Sequence, residues 1–251
     1  MRHYMRYLVL FLVFFVSACA DEEKKYTPEQ FKAAGAEIMY NNAHDYLTDE
    51  SYKKASEAFL AIENEFPYSE WAIRGQVMAA YSHYKNENYD EAIIVLERFL
   101  TMHPGNKDAD YAQYLMGLCY YDRITDISRD QGITKDAETE FKKLIARYPN
   151  SDYAMDAVKK LNLVRDHLAG KDMEVGRYYQ SRKQYVGAIN RFKTVIKKYD
   201  TTSHTPEALH RLVEIYMAMG IKAEAKNYAA VLGHNYPDNE WYQRSFDLLN
   251  D

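Results

Sequence analysis

A chain of 251 residues, 47% apolar and 27% charged, is long enough to bury a substantial core, and global disorder is excluded. Ten glycines and six prolines are too few for a turn-rich sandwich or barrel, and a formal charge of −5 lacks the basic excess of a nucleic-acid scaffold. Twenty-four tyrosines are many for this length and call for a role.

The chain opens on an address. Arg2 and Arg6 precede the apolar run Tyr7 to Val16, which at ten residues is half of the roughly 20 a bilayer span requires. It reads as the core of a signal peptide over residues 1–18. Val16-Ser17-Ala18-Cys19 resembles the bacterial lipobox, which implies acylation of Cys19 after cleavage. Several acyl chains on one residue give stable anchoring where a single chain is marginal. Residue 20 is Ala rather than Asp, which by the lipoprotein sorting rule of Gram-negative bacteria favours the outer membrane. Residues 19–30 then form the lipidated N-terminus and a polar tether.

From there the chain repeats. Phe66-Pro67-Tyr68-Ser69-Glu70-Trp71, Tyr148-Pro149-Asn150-Ser151-Asp152-Tyr153 and Tyr236-Pro237-Asp238-Asn239-Glu240-Trp241 share one pattern: aromatic, Pro, any residue, Ser or Asn, acid, aromatic. Proline stops one helix, Ser or Asn caps the next, and the acid complements its dipole. His103-Pro104 is a fourth stop. Counting back from the stops yields the 34-residue tetratricopeptide pattern, two helices per unit with small residues where they cross. Unit one has Ala43, Ala55 and Phe59; unit two has Ala80, Ala92 and Leu96; unit three has Gly117, Ala137 and Phe141. Unit four has Gly176, Ala188 and Phe192. Unit five has Ala225 and Ala229, with Val213 in place of its first small residue. An insertion over 122–131 separates the helices of unit three, and Asp200 stands where unit four should carry proline. Ser151 to about Arg182 lacks proline and keeps helical spacing, so one long helix is expected to join units three and four, with Gly170 inside it at a cost of about 1 kcal/mol.

The expected fold is therefore all-α: a superhelix of about five helix pairs, with front repeats one to three over 31–150 and the long helix with back repeats four and five over 151–251. First helices line the concave side of such an array. At their groove positions stand Tyr40, Tyr81, Tyr84, Tyr111, Tyr114 and Tyr121, with Arg74 and Lys85, whereas the same positions in units four and five hold no tyrosine. Tyrosine offers a broad apolar face and a hydroxyl at low entropy cost, which suits a peptide-binding groove. The same residues also suit packing between repeats, and both readings stand at this point. Charge is uneven as well. Residues 20–110 hold 9 basic and 18 acidic residues, and residues 135–200 hold 15 and 9.

Chemistry is sparse. No phosphate loop, Gly-x-Ser-x-Gly or His-Glu-x-x-His occurs, and the histidines have no metal-ligand spacing. No cofactor, metal or catalytic residue is expected. Cys119 reads as core packing, and the Asp122, Asp126, Asp130, Arg123 and Arg129 cluster as a loop paired with itself.

The run Tyr84-Lys85-Asn86, Tyr89, Ala92, Arg98-Phe99-Leu100, His103-Pro104, Asp110-Tyr111, Tyr114 and Gly117-Leu118 resembles the BamD (ComL) family of outer-membrane assembly lipoproteins. So do Asp122-Arg123, Arg129-Asp130-Gln131, Arg147-Tyr148-Pro149-Asn150-Ser151 and Asn190-Arg191. The resemblance implies a scaffold of the β-barrel assembly machinery on the periplasmic face of the outer membrane. It implies front repeats that receive the aromatic-ended signal of unfolded barrel proteins, and back repeats that dock on the POTRA region of a BamA-type barrel subunit. Other assembly lipoproteins are possible partners. Arg191 and Lys198 are the candidates for docking, although Arg191 also fits an ordinary surface ion pair. The alternative is a tetratricopeptide lipoprotein serving as a secretin pilotin.

Overall fold

The computed structural model describes residues 28–127 and 129–250, and every described regular element is helical. The signal peptide over 1–18, Cys19 and most of the tether lie outside the described residues. Eleven helices follow: α1 Pro28–Thr48, α2 Tyr52–Glu65, α3 Glu70–Lys85, α4 Tyr89–Met102, α5 Ala109–Tyr121, α6 Gly132–Arg147, α7 Asp152–Ser181, α8 Tyr185–Lys198, α9 Thr205–Ala218, α10 Lys222–Asn235 and α11 Glu240–Asn250. They pack in sequence order as five pairs closed by α11. Among the described residues none is long and apolar enough to cross a membrane.

The punctuation works as the residues demand. α2, α4, α6 and α10 stop at Phe66, His103, Tyr148 and Tyr236, each directly before proline. Ser69 Oγ then accepts from Ala72 N at 3.0 Å and Ser151 Oγ from Tyr153 N at 3.2 Å, which starts α3 and α7. At the end of α8, where proline is missing, Arg165 of α7 donates to the Lys198 carbonyl and its guanidinium lies 3.6 Å from Asp200, satisfying a terminal acceptor from another helix. Within units one, two, four and five the turn has three residues, and its middle residue is left-handed: Glu50, Glu87, Lys183 and Gly220.

The core is the repeat pattern made solid. Ala55, Ala92, Ala137, Ala188 and Ala225 are fully buried, as are Phe59, Leu96, Phe141 and Phe192. Small and large residues are matched across each pair. A Cβ on Gly117 would come within 2.5 Å of the Phe141 ring, and one on Gly176 within 2.5 Å of Phe192. Unit five reverses the sizes, with buried Val213 on the first helix and Ala229 at the position where other units carry Phe or Leu. The irregular unit thus keeps the combined volume that close packing requires.

The long helix is present as 30 unbroken residues, about 45 Å at 1.5 Å per residue. Its first half covers unit three and its second half is the first helix of unit four. The largest core cluster runs continuously through it, from Ala137 to Ala229. Gly170 is buried there because Ile127 of the insertion and the His204 ring approach the site where a side chain would begin, at 3.1 and 3.2 Å. The insertion is paired with itself in part, Arg129 N donating to the Asp126 carbonyl at 3.1 Å and Gly132 N to the Asp130 carboxylate at 3.0 Å, and it is also tied to its neighbours. Asp122 accepts from Tyr84 Oη at 2.5 Å and Arg123 pairs with Asp90 at 2.7 Å, so its entry ties unit three to unit two.

Candidate peptide-binding groove

Helix periodicity brings the six tyrosines onto the first-helix faces, and all six are half-buried. The repeated motif explains much of that burial. Its closing aromatic reaches back to the first helix of the preceding unit, at one and the same repeat position. Trp71 packs on Tyr40 with ring centres 5.0 Å apart, Tyr153 stacks on Tyr114 at 5.4 Å, and Trp241 lies 5.1 Å from the His210 ring. Tyr153 also meets Tyr111 at 5.1 Å, and Tyr121 abuts Phe141 at 6.0 Å. Tyr81 and Tyr84 lie 6.5 Å apart, and Tyr84 makes an edge contact with Tyr89. The row is therefore packed between repeats on one side and open on the other.

Its hydroxyls differ from the sequence expectation. Tyr84 Oη donates to Asp122, and Tyr114 Oη donates to Asp156. Both protons are committed inside the protein, so these phenols and their carboxylates face a ligand as acceptors. Burial first, then the hydrogen bond to a carboxylate, pushes both phenols far above their ordinary range. Burial does the same for Tyr111 and, to a smaller extent, Tyr40. The row thus presents an acceptor-rich surface, with the Asp122 and Asp156 carboxylates set among the phenols. Arg74 lies over the Trp71 ring at 5.1 Å, whereas Lys85 is exposed and turned onto Tyr52 at 5.8 Å. Lys160 lies 5.1 Å from the Tyr121 ring centre and 3.5 Å from Asp156. Sequence reasoning missed Trp71, Tyr153 and Asp156 as part of this surface, while the repeat register places Asp122 at a groove position of unit three. Trp71 and Tyr153 were signalled by the repeated motif, but Asp156 carried no local signal.

Arg191 and Lys198 fall in one cleft between α6, α7 and α8, which also holds Lys135 and Lys171. Arg191 pairs with Asp172 at 2.9 Å and stays half-exposed, so it is both an ion-pair partner and part of the cleft wall. Near the C-terminus, His210 Nδ1 lies 2.8 Å from Ser245 Oγ and its Nε2 3.3 Å from Glu214. This row of Ser, His and Glu is a latch for α11: Ser245 is fully buried and donates to the Trp241 carbonyl. No cluster of side chains able to hold a metal occurs among the described residues.

A family described as "Outer membrane lipoprotein" (YfiO) matches residues 32–232. A Caulobacter vibrioides protein named "Outer membrane protein assembly factor BamD" is 44% identical over 236 residues, covering 94% of this chain and 77% of its own. A Rickettsia prowazekii protein of the same name is 43% identical over 213 residues, covering 85% of each. Among solved structures, a thermophilic tetratricopeptide protein of Thermus thermophilus is alike at 16% identity, covering 86% of this chain and 100% of its own, with a TM-score of 0.40.

Proposed function

The chain belongs to the YfiO family of outer-membrane lipoproteins, whose members include the assembly factors named BamD, and from that premise we propose that it is a non-catalytic scaffold for assembling outer-membrane proteins. The anchor is the acylated Cys19, holding the repeats at the periplasmic face of the outer membrane of a Gram-negative bacterium. The front repeats take the aromatic-ended segment of an unfolded barrel protein. The back repeats dock on the POTRA region of a BamA-type barrel subunit through the cleft that holds Arg191 and Lys198.

One observation carries the client reading: a half-buried tyrosine row whose inner hydroxyl protons are committed to Asp122 and Asp156. An extended strand presents backbone N–H groups at regular intervals, and acceptors set between aromatic faces meet them. The basic cleft supports the docking reading, since cations gathered on one face steer an acidic partner and lose that effect as salt rises.

Affinity capture of the full-length protein from solubilised envelope tests the whole. The barrel-assembly subunit is expected to copurify, and Arg191→Glu together with Lys198→Glu is expected to reduce its recovery. Recovery of a secretin instead would establish the pilotin alternative. Mass spectrometry of the mature N-terminus should find an acylated Cys19; an unmodified cysteine there refutes the anchor.

A further inference from the structure

Between the end of α5, the 122–131 insertion and the first half of α7 lies a pocket of about 360 Å³. That is near the lower end of the range for small-molecule sites, the size for one ring rather than a cofactor. Its apolar walls are Tyr121, Ile124, Leu163 and Val164. Leu163 is 61% exposed at the rim, an apolar side chain that no neighbouring repeat covers. Three polar groups interrupt these walls: the Asp122 carboxylate, the Thr125 hydroxyl and the His167 imidazole. His167 Nε2 is closed off from solvent and has no hydrogen-bond partner among the described residues. Being closed off, Nε2 lies behind the pocket wall, and the polar groups that can meet a ligand there are the exposed Asp122 and Thr125 of the insertion.

The pocket opens directly off the aromatic row. Tyr121 is the last tyrosine of that row, and Asp122 is the acid that accepts from Tyr84. A strand lying along the row would deliver one of its side chains here. We propose that this pocket receives an internal tyrosine or tryptophan of the client peptide, an inference that rests on the groove reading above. The chemistry selects the residue. Apolar walls with hydrogen-bonding groups among them fit a ring that carries its own O–H or N–H, which phenylalanine lacks. Asp122 at the pocket repels a carboxylate, which excludes the peptide's terminal residue. Lys160, beside Tyr121, is itself paired with Asp156 at 3.5 Å and does not reverse this preference. The terminal carboxylate belongs instead toward Arg74, at the other end of the row.

The test uses the full mature chain carrying Cys19→Ser. The probes are ten-residue peptides of alternating apolar and polar residues ending in a phenylalanine carboxylate. A tyrosine is placed at each of the second to fifth positions from the end, with matched phenylalanine and alanine versions. Fluorescence anisotropy should single out one tyrosine position. There, alanine weakens binding at least about tenfold, as loss of an interface anchor does. Phenylalanine weakens it about three- to tenfold, as loss of one hydrogen bond does. Thr125→Trp, placing an indole from an exposed position at the pocket, should bring the best tyrosine peptide down to the affinity of its alanine version without weakening the latter. A benzophenone photocrosslinker at the selected position should label 121–125 or 163–167. Binding that is indifferent to tyrosine at every position, with crosslinks still in α1, α3 and α5, overturns the pocket and leaves the groove standing. Failure of every peptide to bind, or crosslinks confined to the back repeats, overturns both.

Discussion

Tyr114 is the residue at which packing and client binding are most tightly joined, and two substitutions separate them. Its ring stacks on Tyr153 and lies 6.3 Å from Phe141, while its hydroxyl donates to Asp156. Tyr114→Ala removes the ring. A fully buried aromatic truncated to alanine costs about 3–5 kcal/mol, and half-burial brings this to about 2 kcal/mol. Tyr114→Phe removes only the hydrogen bond. Such a bond to a charged group is worth about 1.5–3 kcal/mol. The Asp156 side chain is 45% exposed and keeps Lys160 at 3.5 Å, so solvent screening reduces the figure to about 1 kcal/mol. For a chain of this size that is about 2–4 °C in Tm.

The pH dependence follows from Asp156. The Tyr114 hydrogen bond foremost, with Lys160 after it, holds its carboxyl below the usual range. A carboxyl depressed on folding contributes stability that is present above its unfolded value, near pH 4, and is lost as pH falls through the lower folded value. Urea denaturation followed by circular dichroism should therefore show a gap of about 1 kcal/mol between wild type and Tyr114→Phe at pH 7 that narrows toward pH 3. In peptide binding at pH 7, Tyr114→Phe should stay within about threefold of wild type, because the Asp156 carboxylate it releases remains as an acceptor where the phenol oxygen is lost, while Tyr114→Ala should lose at least about tenfold. A stability gap unchanged between pH 7 and pH 3 would refute the assignment to Asp156. Equal loss of peptide affinity in both variants would refute the view that the ring, rather than the hydroxyl proton, grips the client.

Gly176→Ala should destabilise by about 1–2 kcal/mol in urea, since the new methyl meets Phe192 at 2.5 Å and overpacking outweighs the better helix propensity of alanine; a stabilised variant would show that the helix pair has slack. Burial alone would raise the Glu214 carboxyl, but hydrogen bonds from His210, Gln180 and Arg211 together outweigh it and hold it at about 2. Glu214→Gln should accordingly cost about 1–2 kcal/mol at pH 7, a loss that fades as pH falls from about 4 toward 2, and hydrogen exchange should show faster opening of α11; unchanged exchange there would argue against the latch. Burial, with Asp122 nearby, pushes the Cys119 thiol up to about 12, so in the Cys19→Ser chain a thiol reagent at pH 8 should react only when urea unfolds unit three. Rapid labelling of the native protein would contradict this.

The sequence by itself determined where helices start and stop and which residues enter the core. Both are local or periodic properties: proline after an aromatic ends a helix, Ser69 and Ser151 cap the next, and residues recurring in the repeat register must face the same neighbour. The unbroken length of α7 was legible for the same reason. Other features depended on side chains brought together from distant positions. Tyr84 finds Asp122 38 residues away and Tyr114 finds Asp156 42 residues away, pairings that no periodicity encodes. They turn tyrosines that read as possible donors into acceptors. Arg165 supplies from another helix the termination that Asp200 lacks, and the insertion brings Ile127 onto Gly170. In unit five, Val213 reads as a departure from the pattern until Ala229 is set beside it in the fold. Repeat position governs what each unit must bury, while the superhelix governs which polar atoms meet across units, because it alone sets the distances between residues far apart in the chain.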